Sequence, residues 1–268
     1  MIKRLYKYRS LEKDSWRFTV DLLIDNSFYF APWDRFNDPL EFEFVFTRHN
    51  ESQKMKEDLI LLNHLNPNSN SKQSIRKKIE NANHNQLKEL QWELEYTMKR
   101  SWGTDIGTFC FSSSPDNLLM WGHYSNGQRG ICIEFCDQTD GEFYRDRLRQ
   151  VKYSSKKPIL DIEKLRDPES DQVMEMMMDI MSTKSPDWEY EKEWRLYSKD
   201  SGVYSISSTF VSRVIFGSEI SKKDRNDLIN LLKLKNPNAQ LIQAVQEEEK
   251  YGLKFVDMST GEQFAFED

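Results

Sequence analysis

The chain has 268 residues, of which 38% are hydrophobic and 31% charged, a composition typical of a soluble chain that buries a sizeable core. No apolar run approaches the roughly 18 residues of a membrane span, and the N-terminus has no apolar signal segment, so we expect a cytoplasmic protein without membrane contacts. The formal net charge of −6 argues against bulk electrostatic binding to nucleic acid. The cysteines and histidines have no metal-ligand spacing, so no metal site is predicted.

Hydrophobic periodicity and turn residues predict short aromatic strands with helices between them. In chain order, the predicted elements are a strand at 5–8, a helix at 14–24, a strand at 27–31, helices at 52–65 and 72–100, a strand at 108–112, a helix at 116–124, strands at 130–135 and 151–153, a helix at 171–182, strands at 188–197 and 211–217, a helix at 221–234, and strands at 240–245 and 251–256. This order predicts an α+β fold around a twisted, mixed or largely antiparallel sheet.

The block from 50 to 100 is polar and rich in Asn, Lys and Glu, unlike the aromatic strands around it. Its two helical patterns flank a turn-rich stretch at 66–71. We interpret the block as an inserted helical hairpin within a single domain that spans 1–268. A lid, a partner-binding arm and a simple spacer all remain open as its role.

The predicted strand at 188–197 carries the most informative pattern in the chain. With a period of two, it has an aromatic face and an acidic face, which are formed by Trp188, Tyr190 and Trp194 and by Glu189, Glu191 and Glu193. Side chains two apart on one face of a strand lie about 6.8 Å from each other, so three stacked carboxylates repel one another. Because that repulsion is costly, we expect a buried aromatic face and carboxylates that open onto a cleft. A solvated acidic face on an edge strand is the alternative.

Two early segments place polar side chains next to predicted strands. Arg9 ends the first strand, directly after Tyr8, and its planar guanidinium suits a phosphate or carboxylate. Asn37 lies in the turn-rich loop at 36–41. The alternatives are a surface arginine and an asparagine that only caps its turn.

A third segment runs from a strand that ends near Ser112 into the helix predicted at 116–124. Trp121 and Tyr124 share one face of that helix, and His123 lies near its end. The serines before the helix also suit an N-cap, and a lone histidine is more often a structural residue than a base. No nucleophile elbow or glycine-rich phosphate loop accompanies these residues.

Five motifs in this order resemble an uncharacterised bacterial family of unknown function. They are Lys-Tyr-Arg at 7–9, Phe-Asn-Asp-Pro-Leu-Glu at 36–41, Cys-Phe-Ser at 110–112 with Asn-Leu-Leu-Met-Trp-Gly-His-Tyr at 117–124, Gly-Ile-Cys-Ile-Glu-Phe at 130–135, and Trp-Glu-Tyr-Glu-Lys-Glu-Trp-Arg at 188–195. The resemblance covers about 5–217 apart from the helical block, and it implies no function by itself.

Three short segments also resemble the Arg–Ser–Glu class of ADP-ribosyltransferases. A first strand that ends in Arg9 is followed by Ser-Ser-Ser at 112–114, where that class has Ser-Thr-Ser, and by Glu-Lys-Glu at 191–193. The resemblance implies an ADP-ribosyltransferase-like fold with NAD as substrate. Arg9 would hold the dinucleotide phosphates and Ser112 would brace the catalytic carboxylate. Glu193 would stabilise the oxocarbenium ion of the nicotinamide ribose, while Glu191 would help to activate the acceptor.

Further expectations follow from this second resemblance. Trp121 and Tyr124 would stack on nicotinamide, and Tyr8, Asn37 and His123 would complete the set of NAD contacts. The acceptor would be a macromolecule, either protein or nucleic acid, as in a toxin or a phage-defence effector. The helical block at 50–100 would then bind an antitoxin or another partner protein.

Two other classes of function remain open from the sequence. The first is a non-enzymatic binding or regulatory module, in which a buried structural network joins Arg9, Asn37, Glu191 and Arg195. The second is a metal-dependent nuclease with an acidic cluster formed by Asp38, Glu134, Glu191 and Glu193. Protection against thermal unfolding by NAD would favour the transferase, and protection by Mg²⁺ or Mn²⁺ would favour the nuclease.

Overall fold

The computed structural model describes residues 4–66, 71–101, 106–136, 147–205 and 211–266, without the side chains of residues 14, 100 and 101. The chain divides into two compact units. Unit 1 comprises Met1–Ala31, Gly107–Val151 and Asp187–Asp268, and unit 2 comprises Pro32–Ile106 and Lys152–Pro186. The block at 50–100 therefore belongs to a larger compact unit that also contains its flanking residues and a later segment.

The chain combines groups of helices with groups of strands that form a mixed sheet, which confirms the predicted α+β class. The first half contains β1 (Arg4–Arg9), α1 (Lys13–Ile24), β2 (Ser27–Phe30), β3 (Val45–Phe46), α2 (Ser52–Leu65), α3 (Lys72–Asn81), α4 (His84–Ser101), β4 (Gly107–Ser112), α5 (Leu118–Tyr124) and β5 (Ile131–Cys136). The second half contains β6 (Leu148–Gln150), β7 (Lys152–Tyr153), β8 (Ile159–Leu160), α6 (Asp171–Met181), β9 (Thr183–Lys184), β10 (Glu193–Ser198), β11 (Gly202–Ser205), β12 (Val211–Phe216), α7 (Lys222–Lys235), β13 (Gln240–Gln246), β14 (Leu253–Asp257) and β15 (Gln263–Phe264). Short 3-10 helices lie at Trp33–Arg35, Lys164–Arg166 and Pro186–Glu191. Among the described helices, none is long and apolar enough to cross a membrane.

Nine of the described strands of unit 1 form a mixed sheet in the order β15-β14-β13-β12-β5-β1-β4-β10-β6, and β2 and β11 form a separate antiparallel pair. Neighbouring strands pair antiparallel, except that β12 and β13 are parallel. A parallel pair needs a crossover connection, which α7 supplies between these two strands. β1 lies near the middle of the sheet, with β5 on one side and β4 on the other.

One face of this sheet carries the main apolar core of unit 1, and leucines of α1 and α7 pack against it. Fully buried members of this core are Leu5, Leu22, Leu23, Phe109, Ile131, Ile133, Phe135, Val214, Phe216 and Leu228. Because side chains alternate along a strand, Phe109 and Phe111 point into the core while Cys110 and Ser112 point to the opposite face. The alternation of β4 therefore places polar groups opposite the phenylalanine core.

On the opposite face, four neighbouring strands are aligned at the centre of the sheet. Ser112 of β4 lies opposite Tyr6 of β1 on one side and opposite Glu193 of β10 on the other. Tyr6 in turn lies opposite Glu134 of β5. This register brings a serine and two acidic residues from distant parts of the chain into one row.

The helical block of unit 2 contains three helices, whereas the sequence predicts two. The predicted helix at 72–100 is broken at Ala82, which has an extended backbone. The next helix, α4, begins with a reciprocal capping box. The Gln86 N–H donates to Asn83 Oδ1 at 3.1 Å, and the Asn83 N–H donates to Gln86 Oε1 at 2.9 Å. The Asn-x-x-Gln spacing is a local signal for this helix start.

The helices of the block contribute directly to the apolar core of unit 2. Leu62 of α2 and Met98 of α4 pack in one cluster with Phe46, Leu160 and Ile162, which lie outside the block. All five side chains are buried. The block therefore stabilises its own unit through shared core packing instead of forming a detached arm.

Replacing Leu62 by alanine is expected to lower the free energy of unfolding by about 2–5 kcal/mol, because it removes a fully buried side chain from this core. The measurement is urea unfolding monitored by circular dichroism. Leu234→Ala is the matched control: Leu234 is 78% exposed, so the effect should stay within about 0.5 kcal/mol. Equal stability of the two variants would contradict the packing of α2 against the core of unit 2.

Candidate functional site

The candidate site of unit 1 is built around a buried ion pair on β10. Arg195 donates from Nε to Glu193 Oε1 at 2.8 Å and from one terminal nitrogen to Glu193 Oε2 at 3.0 Å. Both side chains are buried, and Arg195 is 0% exposed. Such a two-pronged contact satisfies both carboxylate oxygens and fixes the two side chains relative to each other.

Cys110 lies directly opposite Arg195 in the sheet. Burial and the neighbouring Glu193 raise the pKa of the Cys110 thiol well above its ordinary value. The thiol is therefore neutral at pH 7, and it is part of the packing around the ion pair instead of a nucleophile.

The structure corrects the first half of the predicted strand at 188–197. Pro186–Glu191 forms a 3-10 helix, Lys192 adopts a left-handed backbone with φ 45°, and β10 begins only at Glu193. Glu191 and Glu193 are buried while Glu189 is exposed. The three carboxylates therefore do not stack on one open face, while the cleft expected beside Glu191 and Glu193 stays a prediction.

Hydrogen bonds from a distant segment hold this turn in place. Ser112 Oγ donates to the Glu191 carbonyl at 2.7 Å, and Asn117 Nδ2 donates to the Tyr190 carbonyl at 2.9 Å. These donors lie 79 and 73 residues away from their acceptors in sequence. The predicted role of Ser112 is therefore modified, since the bond recorded between its hydroxyl and Glu191 goes to the backbone of that residue and not to a carboxylate.

The carboxylate of Glu191 is bound from α5. Tyr124 donates its hydroxyl hydrogen to Glu191 Oε1 at 2.5 Å. Close by, the rings of His123 and Tyr190 lie 6.2 Å apart and those of Tyr190 and Trp188 lie 6.1 Å apart. We call these four side chains (His123, Tyr124, Trp188 and Tyr190) the aromatic rim. His123 is exposed and the other three are half-buried, which corrects the predicted burial of Trp188 and Tyr190.

Trp121 and Tyr8 are core residues, contrary to their predicted contact with NAD. Trp121 is 0% exposed, and its indole N–H donates to the Pro115 carbonyl at 2.8 Å. Tyr8 packs edge-on against Trp121 with ring centroids 5.2 Å apart, and it donates its hydroxyl hydrogen to the Ser114 carbonyl. Both side chains anchor α5 and its preceding loop to β1, so they position Tyr124 indirectly.

Arg9 is a charged residue of unit 1 with a buried nitrogen, Nε, that lacks a hydrogen-bond partner in the described part of the chain. Burial lowers the pKa of Arg9 to about 10, and no carboxylate of the described part of the chain counteracts that effect. A buried guanidinium without a counter-ion is costly, so this group is the strongest candidate for a ligand contact.

Lys7 is a second cation on β1 that the sequence analysis does not single out. It lies two residues before Arg9, and its Nζ donates to the Cys110 carbonyl at 2.8 Å. The carboxylates of Glu193 and Glu191 act electrostatically on this ammonium group. Lys7 and Arg9 follow Leu5 on the core face of β1, whereas Glu193 lies on the opposite face with Ser112 and Tyr6, so Glu193 acts on Lys7 across the sheet. The local signal for it is its position, since i and i+2 on a strand share one face.

Asn37 and Asp38 belong to unit 2, so the predicted NAD contact of Asn37 stays a prediction. Asp38 Oδ1 accepts a hydrogen bond from the Leu40 N–H at 2.9 Å, as expected of a turn cap. In unit 1, Glu134 is bound by Arg213 through both carboxylate oxygens at 2.7 and 2.8 Å. Within the described residues, no group of three or more His, Cys, Asp or Glu side chains is arranged to hold a metal ion. Among the described residues, the acidic side chains named for the nuclease alternative are therefore not grouped as ligands of one metal ion.

The fold and this site define a mixed α+β protein in which β1 carries two half-buried cations and β10, on the other side of β4, carries a buried carboxylate–arginine pair. Residues 120–196 match the model of a family described as "Protein of unknown function (DUF2971)". The match contains the aromatic rim, Glu191, Glu193 and Arg195, and it supports the resemblance to an uncharacterised family over this range. Searches of curated proteins and of solved structures found no significant match.

Proposed function

We propose that unit 1 binds NAD through its phosphates at Arg9 and transfers ADP-ribose to a macromolecular acceptor. The observation that carries this proposal is the buried Arg9 Nε, which has no hydrogen-bond partner among the described residues. A phosphate oxygen offers both a negative charge and the acceptor geometry that the guanidinium fork requires. A bound pyrophosphate would thus offset the cost of burying this charge.

The charges around Arg9 suit a ligand with two different ends. Glu191 and Glu193 act on Lys7, which is two residues from Arg9 and therefore about 6.8 Å away along the strand. The cations favour an anionic group, while the carboxylates, of which Glu193 lies on the opposite face of the sheet, favour a centre that becomes positive. NAD combines a pyrophosphate with a ribose that acquires oxocarbenium character when nicotinamide leaves.

The two carboxylates lie in different surroundings. Both oxygens of Glu193 are bound by the cationic Arg195. Glu191 accepts a hydrogen bond from the neutral hydroxyl of Tyr124 and lies beside the aromatic rim. We therefore assign the stabilisation of the oxocarbenium ion to Glu191, and we assign to Glu193 the role of holding Arg195 and β10 in place.

In the proposed reaction, the bond between the ribose C1′ and the nicotinamide nitrogen breaks, and nicotinamide leaves with the electron pair. A nucleophilic atom of the acceptor then forms a bond to C1′ and loses its proton to a base. The negative charge of Glu191 stabilises the positive ribose between these two events. The half-buried rings of the aromatic rim would exclude water from the reacting carbon.

A non-enzymatic anion-binding module is the second candidate function. The observation that favours it is the burial of the Glu193–Arg195 and Glu134–Arg213 pairs, since such pairs commonly have structural roles. A module of this kind would bind ADP-ribose or NAD at Arg9 but would not consume NAD. Binding and turnover therefore have to be measured separately.

Replacing Arg9 by glutamine is expected to weaken NAD binding about tenfold or more, because a charge-assisted hydrogen bond to a phosphate is lost. The measurement is isothermal titration calorimetry with NAD and ADP-ribose, together with thermal unfolding. Without ligand, the melting temperature should hold or rise, since the variant removes an uncompensated buried charge.

Arg17→Gln is the matched control for this experiment. The Arg17 side chain is 87% exposed on α1, so its loss should leave both affinity and stability unchanged. Absence of NAD and ADP-ribose binding in the parent protein would refute the proposal. Equal affinities of the parent protein and Arg9→Gln would refute the assignment of Arg9.

A further inference from the structure

We propose that Lys7 and Arg9 together form a phosphate clamp in which Lys7 is the pH-sensitive half. The proposal rests on the anion site proposed above, and it adds a second cationic contact and a regulation to that site. Ligand affinity would then be highest where Lys7 is protonated and would decline once it becomes neutral.

The geometry of β1 places both cations on the same side of one strand. Lys7 and Arg9 are separated by a single residue, and both are half-buried. Residues at i and i+2 on a strand point to the same face, so an anion that contacts Arg9 lies within reach of the flexible lysine side chain. Two cations held this close repel each other, and a shared anion would relieve that repulsion.

The direct contacts of Lys7 are with neutral groups. Its Nζ donates to the Cys110 carbonyl at 2.8 Å and lies 4.6 Å from the centroid of the Phe109 ring. Within the described part of the chain, Lys7 forms no salt bridge. An ammonium group has three donors, and the carbonyl uses one of them. Lys7 therefore retains donors for a ligand.

The charged and titratable groups that act on Lys7 come from three elements besides its own. Arg9 lies on β1, Cys110 on β4 and Glu193 on β10, while Glu191 ends the preceding 3-10 helix. Burial and Arg9 lower the pKa of Lys7 to about 8, and the thiol and the two carboxylates only partly oppose this effect. An exposed lysine titrates near 10.4, so Lys7 changes charge in a range where an ordinary lysine stays protonated.

The direction of the pH effect follows from these groups. Below pH 8 Lys7 is charged and contributes to anion binding; above pH 8 it becomes neutral and that contribution is lost. A bound anion offsets the repulsion from Arg9 and therefore raises the pKa of Lys7. Binding near pH 8 should then be coupled to proton uptake, and affinity should fall by up to about tenfold per pH unit above the pKa of the free protein.

The experiment measures the binding of ADP-ribose and of sulfate between pH 6.5 and 9.5. Both anions keep a constant charge over this range, so a change in affinity reports on the protein. Calorimetry in two buffers of different ionisation enthalpy measures the protons taken up. The parent protein should bind more weakly as the pH rises through about 8, with proton uptake at pH 8.

Two variants of Lys7 and one control decide the outcome. Lys7→Arg keeps its charge across the whole range, so its affinity should be independent of pH and its proton uptake should vanish. Lys7→Met should bind about tenfold or more weakly at pH 7, again without pH dependence. Lys223→Met removes a lysine that is 82% exposed on α7, so it should reproduce the profile of the parent protein.

Several results would overturn the clamp. The first is that Lys7→Met binds the anions with the same affinity and pH profile as the parent protein. The second is that the affinity of Lys7→Arg declines above pH 8 as that of the parent protein does. The third is that the parent protein binds neither anion. If Lys7→Met does not fold, Lys7→Arg decides by itself, because it conserves the charge. Binding of sulfate with the expected profile but without binding of ADP-ribose would support the clamp and refute the nucleotide ligand proposed above.

Discussion

Replacing Glu193 by glutamine is expected to lower the free energy of unfolding by about 3–5 kcal/mol, because it removes the carboxylate charge that accepts two hydrogen bonds from the fully buried Arg195. The sequence pattern suggests the opposite result. If Glu193 shared one strand face with Glu189 and Glu191, removal of its charge would relieve repulsion and stability would hold or rise. The measurement is urea unfolding of the parent protein and the variant at pH 7.

Two further variants separate the ion pair from general effects of substitution. Simultaneous replacement of Glu193 and Arg195 by leucine should recover much of the lost stability, since no uncompensated charge remains in the core. Asp227→Asn is the matched control: Asp227 pairs with Lys223 at an exposed site, and its loss should cost less than about 0.5 kcal/mol. If Glu193→Gln unfolds at the same urea concentration as the parent protein, the structural role of Glu193 is contradicted.

Replacing Glu191 by glutamine is expected to reduce NAD consumption by about a hundredfold or more. Glutamine keeps the size of the side chain and can still accept the hydrogen bond from Tyr124, but it removes the charge that would stabilise the ribose in the transition state. The measurement is the release of nicotinamide from NAD, together with transfer of label from NAD to proteins and nucleic acids of a cell lysate. Affinity for ADP-ribose should change little, because the phosphate contacts lie at Arg9.

Glu189→Gln is the matched control for this variant. Glu189 lies two residues earlier in the same 3-10 helix but is exposed, so its replacement should leave turnover unchanged. If Glu191→Gln consumes NAD as fast as the parent protein, the catalytic role of Glu191 is refuted. If Glu193→Gln folds but no longer consumes NAD, the catalytic role belongs to Glu193. A parent protein that binds NAD without consuming it would establish the anion-binding module instead.

The strands and helices were largely predictable because their signals are local. The Phe-Cys-Phe-Ser alternation at 109–112 places aromatic and polar groups on opposite faces of β4, and the helical periodicity of α1, α2, α6 and α7 lies within each segment. The prediction of one continuous helix at 72–100 failed although the sequence contains a local signal for the break, because the helical periodicity was given more weight. The Asn83–Gln86 capping box breaks the helix predicted at 72–100, although the periodicity continues across it.

The candidate site was predictable in composition but not in geometry. Arg9 and Ser112 were correctly placed at the ends of strands, whereas Glu193, predicted inside a strand at 188–197, is the first residue of β10. That β1, β4 and β10 are neighbours in the sheet was not predicted. The period-two pattern at 188–197 was misleading because Lys192 adopts a left-handed backbone. That conformation separates Glu191 from the strand, and the hydrogen bonds that hold it come from residues that are distant in sequence.

The sequence by itself determined the α+β class, a sheet that is mixed or largely antiparallel, and the segments that carry polar groups, because alternation, helical period and capping are encoded within a few neighbouring residues. Only the tertiary structure decided which charges are satisfied. The register of β4 and β10 places Ser112 opposite Glu193. Burial of β10 excludes water from the Glu193–Arg195 pair, and burial of β1 leaves Arg9 Nε without a hydrogen-bond partner among the described residues. Register and desolvation depend on residues that are far apart in the chain, so no local pattern encodes them.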